Sequence, residues 1–261
     1  MKKITPNDVK KIEVGILDFI DDICKKNSIN YFIAYGTLLG AIRHSGFIPW
    51  DDDIDICMKR EDYNKFMNIL ASLRHNRYKF LENKLQKNYF YEYGRVVDTR
   101  TRIITHDVIE NDEEGVWVDV FPLDNANFLV KFQKVIIDIL IVLRIFSVYT
   151  TFPSSKRSKI WYPIWLFSRA IGPKLFISLS TLLFDMCKDN DSKYLAVLCD
   201  FGCEYCYDRN LFKELTEVAF EGKMYPAPKN YIAYLTQQYG DFMKLPSVEK
   251  QIPHPVEAYW R

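Results

Sequence analysis

The sequence predicts an α+β fold, with a mixed sheet, flanking helices and a helical, apolar C-terminal half. Three observations predict it: an amphipathic stripe near the N-terminus, a series of short β-branched and aromatic runs between residues 31 and 124, and a strongly apolar pattern from Phe128 onward. The 261 residues, 48% hydrophobic and 15% aromatic, suffice for a substantial core. We place an organisational boundary after residue 127, with a sheet-bearing core over 1–127 and a helical subdomain over 128–261 that completes the site.

Taken in order, residues from about Asn7 to Asn27 read as a helix, with Ile12, Ile16, Phe19, Ile20 and Ile23 at three- and four-residue spacing and Thr5-Pro6 at its entry. Its expected job is to cover the sheet, and no residue on it presents a chemical role. Tyr31 to Tyr35 reads as a strand ending in Gly36-Thr37, followed by a short helix over Leu38 to Arg43. Gly36 lets backbone approach a ligand closely, and Thr37 with the N–H groups opening that helix can hold phosphate oxygens.

The next strand, Asp53 to Cys57, carries the densest chemistry. Side chains alternate along a strand, so Asp51, Asp53 and Asp55 point one way and Asp52 the other, spaced about 6–7 Å apart. Such a row repels itself unless it holds a cation, and an all-oxygen ligand set suits Mg²⁺ or Mn²⁺ better than zinc. An acidic run is often just a solvated turn. Here Ile54 and Ile56 continue the alternation, which puts the carboxylates on an apolar strand. Strand, glycine turn, helix, then D-x-D on a neighbouring strand is the order used by metal-dependent nucleotidyl and phosphoryl transferases.

Arg60 to Leu73 is expected to be helical, and Tyr89–Val97 with Arg102–Thr105 to form a hairpin turning at residues 98–100. Val116 to Asp124 is an apolar strand interrupted by Asp119. A buried Asp is costly unless it is paired or binds a metal. Asp119 is therefore the candidate third carboxylate, the alternative being an Asp tied down by backbone N–H groups. Asp124 is read as a helix cap.

Phe128–Tyr149 and Ile160–Phe184 are apolar, but Asp138 and Arg144 interrupt the first, while Pro163, Arg169 and Gly172-Pro173-Lys174 break the second, so neither reads as a membrane span. Lys131, Lys134, Arg144, Lys156, Arg157, Lys159, Arg169 and Lys174 face only Asp138 in this region, and cations beside tryptophans suit an anionic membrane surface. The plainer reading is a helical subdomain packed on the sheet. The net charge of +1 argues against nucleic-acid binding, and Met1-Lys2-Lys3 precedes polar residues instead of a secretory signal, so the expected location is cytoplasmic, peripheral at the inner face of the membrane. Cys199, Cys203 and Cys206, with Cys187 or a histidine, form a candidate structural zinc set, although paired C-x-x-C knuckles are absent and core thiols are favoured. A further helix is expected over Asn230–Tyr239, ended by Gly240. His254, between two prolines, reads as a fixed turn.

Gly36-Thr37-Leu38-Leu39-Gly40, Arg43 and Gly46-Phe47-Ile48-Pro49-Trp50-Asp51-Asp52-Asp53-Ile54-Asp55 resemble the signature of the LicD family, which includes phosphocholine transferases related to fukutin-type phosphosugar enzymes. Looser likeness continues through Asp119-Val120-Phe121-Pro122-Leu123-Asp124, Phe220-Glu221-Gly222 and Tyr239-Gly240-Asp241. The resemblance implies a nucleotidyltransferase-like core over 1–127. It also implies transfer of a phospho-alcohol, such as phosphocholine, from a CDP-activated donor to a glycan hydroxyl, with loss of CMP. In that scheme Asp53, Asp55 and Asp119 hold one or two Mg²⁺, and Asp119 or Asp51 takes the hydroxyl proton. Gly36 and Thr37 hold phosphates, while Arg43, His44, Arg95 and Thr101 face donor charge, an arginine fork being suited to two phosphate oxygens. Trp50 faces a choline ammonium or serves as core packing, and Glu221 is a further substrate contact. The donor alcohol stays open, as does the acceptor among teichoic acid, lipopolysaccharide, capsular repeat or lipid-linked precursor. Two other readings share the signature: a nucleotidyltransferase that retains the nucleoside monophosphate on its acceptor, and a non-catalytic glycan- or membrane-binding module.

Overall fold

The structure, a computed structural model, describes residues 1–105, 107–126, 130–152, 158–186, 192–199, 206–253 and 257–261. The elements run α1 (Pro6–Asn27), β1 (Phe32–Ile33), α2 (Tyr35–His44), β2 (Asp55–Lys59), α3 (Arg60–Ser72), β3 (Tyr78–Leu81), β4 (Gly94–Asp98), β5 (Thr101–Ile103) and β6 (Trp117–Ala126). The second half adds α4 (Val130–Val148), α5 (Tyr162–Ile171), α6 (Pro173–Met186), β7 (Tyr194–Ala196), β8 (Tyr207–Asp208), β9 (Leu215–Phe220), β10 (Lys223–Pro228), α7 (Tyr231–Tyr239) and β11 (Ala258–Trp260).

The main sheet has the order β1-β2-β6-β4-β3, with β7 on the far end of β6 and β8 beside β7. It is mixed: β2 and β6 run parallel, and the remaining neighbours antiparallel. Its centre is apolar because Ile54, Ile56, Val96, Val118 and Val120 are fully buried. Thr5 caps α1 by accepting the Asp8 N–H at 3.2 Å, and Ser28 ends the helix in a left-handed conformation. Ile16, Leu17 and Ile20 on its inner face are completely buried, each contributing about 1.5–3 kcal/mol.

Four local expectations are corrected. Residues 51–53 precede β2 in irregular backbone, so the carboxylates do not form one strand row. The helix expected from Leu38 begins at Tyr35, which takes Gly36 and Thr37 into its first turn. The 89–105 hairpin does not form: β4 pairs with β3 and β6, whereas β5 pairs with β11, more distant in sequence. Asp124 caps no helix; it lies in β6, its oxygens accepting from Arg60 Nε at 2.6 Å and Arg60 NH2 at 2.7 Å. Strand β3 was not foreseen. Cys187, Cys203, His254, Lys156 and Arg157 lie outside the described residues, so the zinc expectation at Cys199, Cys203 and Cys206 does too.

Candidate active site

The site forms where α2 begins and β2 meets β6. Parallel pairing sets Asp55 opposite Asp119, and antiparallel pairing sets Asp119 opposite Arg95. Three chemical groups therefore stand abreast on β2, β6 and β4. The start of β2 is fixed from α2, since Asp55 N–H donates to Thr37 Oγ1 at 2.8 Å, and Asp119 N–H donates to the Ile54 carbonyl at 2.9 Å. Thr37 is buried, so its hydroxyl here positions Asp55.

Gly36 is required for a close approach. A methyl group at its α-carbon would stand 2.5 Å from Asp51 Oδ2, so only glycine lets that carboxylate lie on the first turn of α2. Tyr35, just before it, holds a φ of +45°, a rare conformation for an aromatic residue and one concentrated at functional sites. Asp51 and Asp53 lie close enough for each to act on the other's carboxyl. Burial, reinforced by Asp51, pushes the Asp53 carboxyl up to about 7, and burial also raises Asp51.

Asp119 is 6% exposed. Its Oδ1 accepts from Arg95 Nε at 2.7 Å and its Oδ2 from Trp117 Nε1 at 3.0 Å. Burial raises its carboxyl against the opposing pull of Arg95. Arg95 is buried, with its guanidinium 4.4 Å from the ring centres of both Tyr91 and Trp117. Its first partner is Asp119, and donor phosphate is not needed to satisfy it.

The helix expected to lack chemistry supplies one more acid. Glu13, on the inner face of α1, is 3% exposed, and its Oε2 has no hydrogen-bond partner. Burial drives its carboxyl well above the usual range, followed by the charges of Asp53, Asp52 and Asp119. The signal was present in the sequence as an acid interrupting the stripe Val9, Ile12, Ile16, Ile20.

The other candidates fall elsewhere. Thr101 is fully buried, its hydroxyl donating to the Asp98 carbonyl at 2.7 Å and accepting the Val116 N–H at 2.8 Å, so it offers no phosphate contact. Glu221 reaches the loop behind α2, where its carboxylate accepts the Phe47 N–H at 3.0 Å. Arg43 donates to the Phe242 carbonyl and to His44 Nε2, each at 3.0 Å, and His44 stands edge-on to Trp50 at 6.4 Å. Arg43 and His44 end α2, about 10 Å along its axis from Gly36 and Thr37 in its first turn.

Among the described residues, no three carboxylate, imidazole or thiol groups close on one point as a bound metal requires. The donor set nonetheless fits a hard divalent cation. It is all oxygen, Glu13 Oε2 is orphaned, and each Asp119 oxygen keeps a lone pair beyond the hydrogen bond it accepts. Arg95 is the buried cation facing Asp119, with Asp53 and Glu13 also close enough to raise that carboxyl's neighbourhood charge.

Residues 28–158 match the family model described as "LicD/FKTN/FKRP, nucleotidyltransferase domain". The chain is also similar to the lipopolysaccharide cholinephosphotransferase LicD of Haemophilus influenzae, 30% identical over 277 aligned positions that cover 99% of each chain. An uncharacterised protein of Rickettsia typhi is 45% identical over 64 residues, 24% of this chain and 21% of that one, and one of Rickettsia prowazekii is 51% identical over 49 residues, 19% and 18% of the two chains.

Proposed function

This chain belongs to the LicD family of transferases, and from that premise we propose that it transfers phosphocholine from a CDP-activated donor to a hydroxyl of a cell-surface glycan or its lipid-linked precursor, releasing CMP. The observation that carries the proposal is the registration of Asp55 with Asp119 beside the first turn of α2, where Gly36 admits the half-buried carboxylate of Asp51. The full-length likeness to the Haemophilus enzyme supports phosphocholine and a lipopolysaccharide-type acceptor over other pairs.

In this reading Asp53, Asp55 and Asp119 hold Mg²⁺ or Mn²⁺, with Glu13 adding a fourth carboxylate from α1. The bound ion would offset the charge of the donor's phosphates. The chain's own residues do the positioning. Arg95 orients Asp119 and screens it, Thr37 fixes Asp55, and the amides opening α2 supply a positive helix end for phosphate oxygens. Asp119 or Asp51 takes the attacking hydroxyl's proton.

The same reading places the enzyme at the cytoplasmic face of a membrane. Among the described residues no single helix is long and apolar enough to cross one, but α5 and α6 together have the length and composition, bent by 85°. Their outer face leaves Phe167 59% and Leu182 58% exposed, beside Ile160 at 82%, and the exposed Arg169 and Lys174 complement anionic headgroups. Wild-type protein is expected to sediment with anionic liposomes at low salt and less at high salt. Failure to sediment removes the membrane assignment.

The test of the reaction is CMP release from a panel of CDP-alcohols with Mg²⁺, with and without EDTA, comparing wild type with Asp53→Asn. Metal-dependent release lost in the variant supports the proposal and names the donor. Nucleoside monophosphate retained on the acceptor would instead mean nucleotidyl transfer.

A further inference from the structure

We infer that the cavity next to Arg95 binds a quaternary ammonium group, the headgroup of the donor. This rests on the transferase reading above and adds where the alcohol portion sits. The cavity is about 280 Å³, and its wall includes Phe90, Tyr91, Tyr93, Glu114, Arg144 and Tyr149. That falls just short of the roughly 300–1,000 Å³ usual for whole-ligand sites, so it suits a headgroup and not a complete CDP-alcohol.

Four of those six side chains are aromatic; Tyr91 already carries the guanidiniums of Arg95 at 4.4 Å and Arg144 at 5.4 Å, so Phe90 and Tyr149 are the rings offered to a trimethylammonium, which is held by ring faces that carry negative charge while its methyl groups need apolar contact. A neutral polyol would gain from neither. The charges in the wall decide the sign of the ligand. Arg144 is cancelled by Glu92 at 2.5 Å and also donates to the Phe90 carbonyl at 2.6 Å, and Arg95 is cancelled by Asp119. Glu114 makes no ion pair among the described residues. The wall therefore carries one carboxylate without a direct ion pair among the described residues. Burial raises that carboxyl against the opposing pull of Arg95, and Asp119 raises it further.

The location matches the task. Arg95 packs on Tyr91 at 4.4 Å and Tyr93 at 5.8 Å while bonded to Asp119, so the cavity and the carboxylate site share a wall. On the other side, Tyr149 at the end of α4 accepts from Trp165 Nε1 and Arg169 NH1 of α5, joining the cavity to the apolar helices. A donor seated here would have its ammonium in the aromatic cavity and its phosphates towards Asp119.

Calorimetric titration of the full-length protein with choline and with its neutral isostere, 3,3-dimethylbutan-1-ol, tests this, followed by CDP-choline and CDP-ethanolamine with Mg²⁺. Choline is expected to bind at least about ten-fold more tightly than the isostere, and Glu114→Gln to weaken choline and CDP-choline about ten-fold while CMP binding is unchanged. Equal affinity for choline and isostere overturns the inference, as does unchanged CDP-choline affinity in a Glu114→Gln protein that melts like wild type. Should that variant fail to fold, the choline and isostere comparison on wild type decides alone. Choline binding without CMP release from any CDP-alcohol would sink the transferase reading and leave the cavity assignment standing. Turnover of a CDP-polyol with no choline binding would do the reverse.

Discussion

Strand β6 carries two aspartates, each paired with an arginine, and the two ends of the strand behave as different kinds of structure. Asp124 is gripped by Arg60 through two short hydrogen bonds, one to each oxygen, so charge and geometry are both closed. Asp119 receives one hydrogen bond from Arg95 and one from Trp117, and lies within reach of Asp53 and Glu13, so negative charge accumulates there. The difference separates a strut from a site: an arginine that balances its acid locks two elements together, whereas one facing several acids leaves a deficit for a cation to fill.

The strongest way to break this comparison is to remove charge from the site. Asp53→Asn and Asp119→Asn should each lower kcat on the order of 1,000-fold with the fold intact, as judged by CMP release and circular dichroism. At the other end, Asp124→Asn should leave kcat within a few-fold of wild type but cost about 2–3 kcal/mol of stability in urea, because Arg60 loses a bidentate partner. If Asp124→Asn also abolished turnover, the two ends would not differ as described.

A smaller effect sharpens the picture of excess charge. Asp53 and Glu13 have carboxyls raised in the folded state, so the native protein keeps protons that the unfolded chain has lost. Metal-free protein should therefore become less stable as pH rises from about 4 through about 7, by the linkage of proton binding to folding. Mg²⁺ should restore stability above neutrality, and Asp53→Asn should flatten the metal-free slope, both read from melting temperature. The smallest change expected is from Glu13→Gln, which removes a buried charge with an orphaned oxygen: about the same or slightly higher metal-free stability at pH 8, and Mg²⁺ binding several-fold weaker by titration. Unchanged Mg²⁺ affinity would make Glu13 a bystander.

The signature and Asp119 were legible because they interrupt apolar runs with charge over short distances. Helix α1 was legible from period, and α4 to α6 from their apolar composition. What sequence could not supply was pairing across distance. Arg95 reads as a donor-phosphate contact until β4 is set beside β6, and Thr101 reads as another until Val116 and Asp98 close over it. The false hairpin has the same origin, since local pattern brought two neighbouring runs together while β5 took a partner from the far end of the chain. The strand period misplaced Asp51 and Asp53, because Thr37 fixes the start of β2 only at Asp55. Glu13 was passed over although its position in an apolar stripe marked it.

The β5–β11 pair has a consequence for timing. Ile103 pairs with Ala258, and the same terminal strand bonds back to Lys2 and Ile4. A ribosome emitting 5–20 residues per second takes roughly 10–30 s to supply the intervening stretch. For that interval the edge of β5 waits unpaired, and Lys2 and Ile4 wait longer, so the nascent protein stays open to chaperones and proteases at the two places that β11 joins.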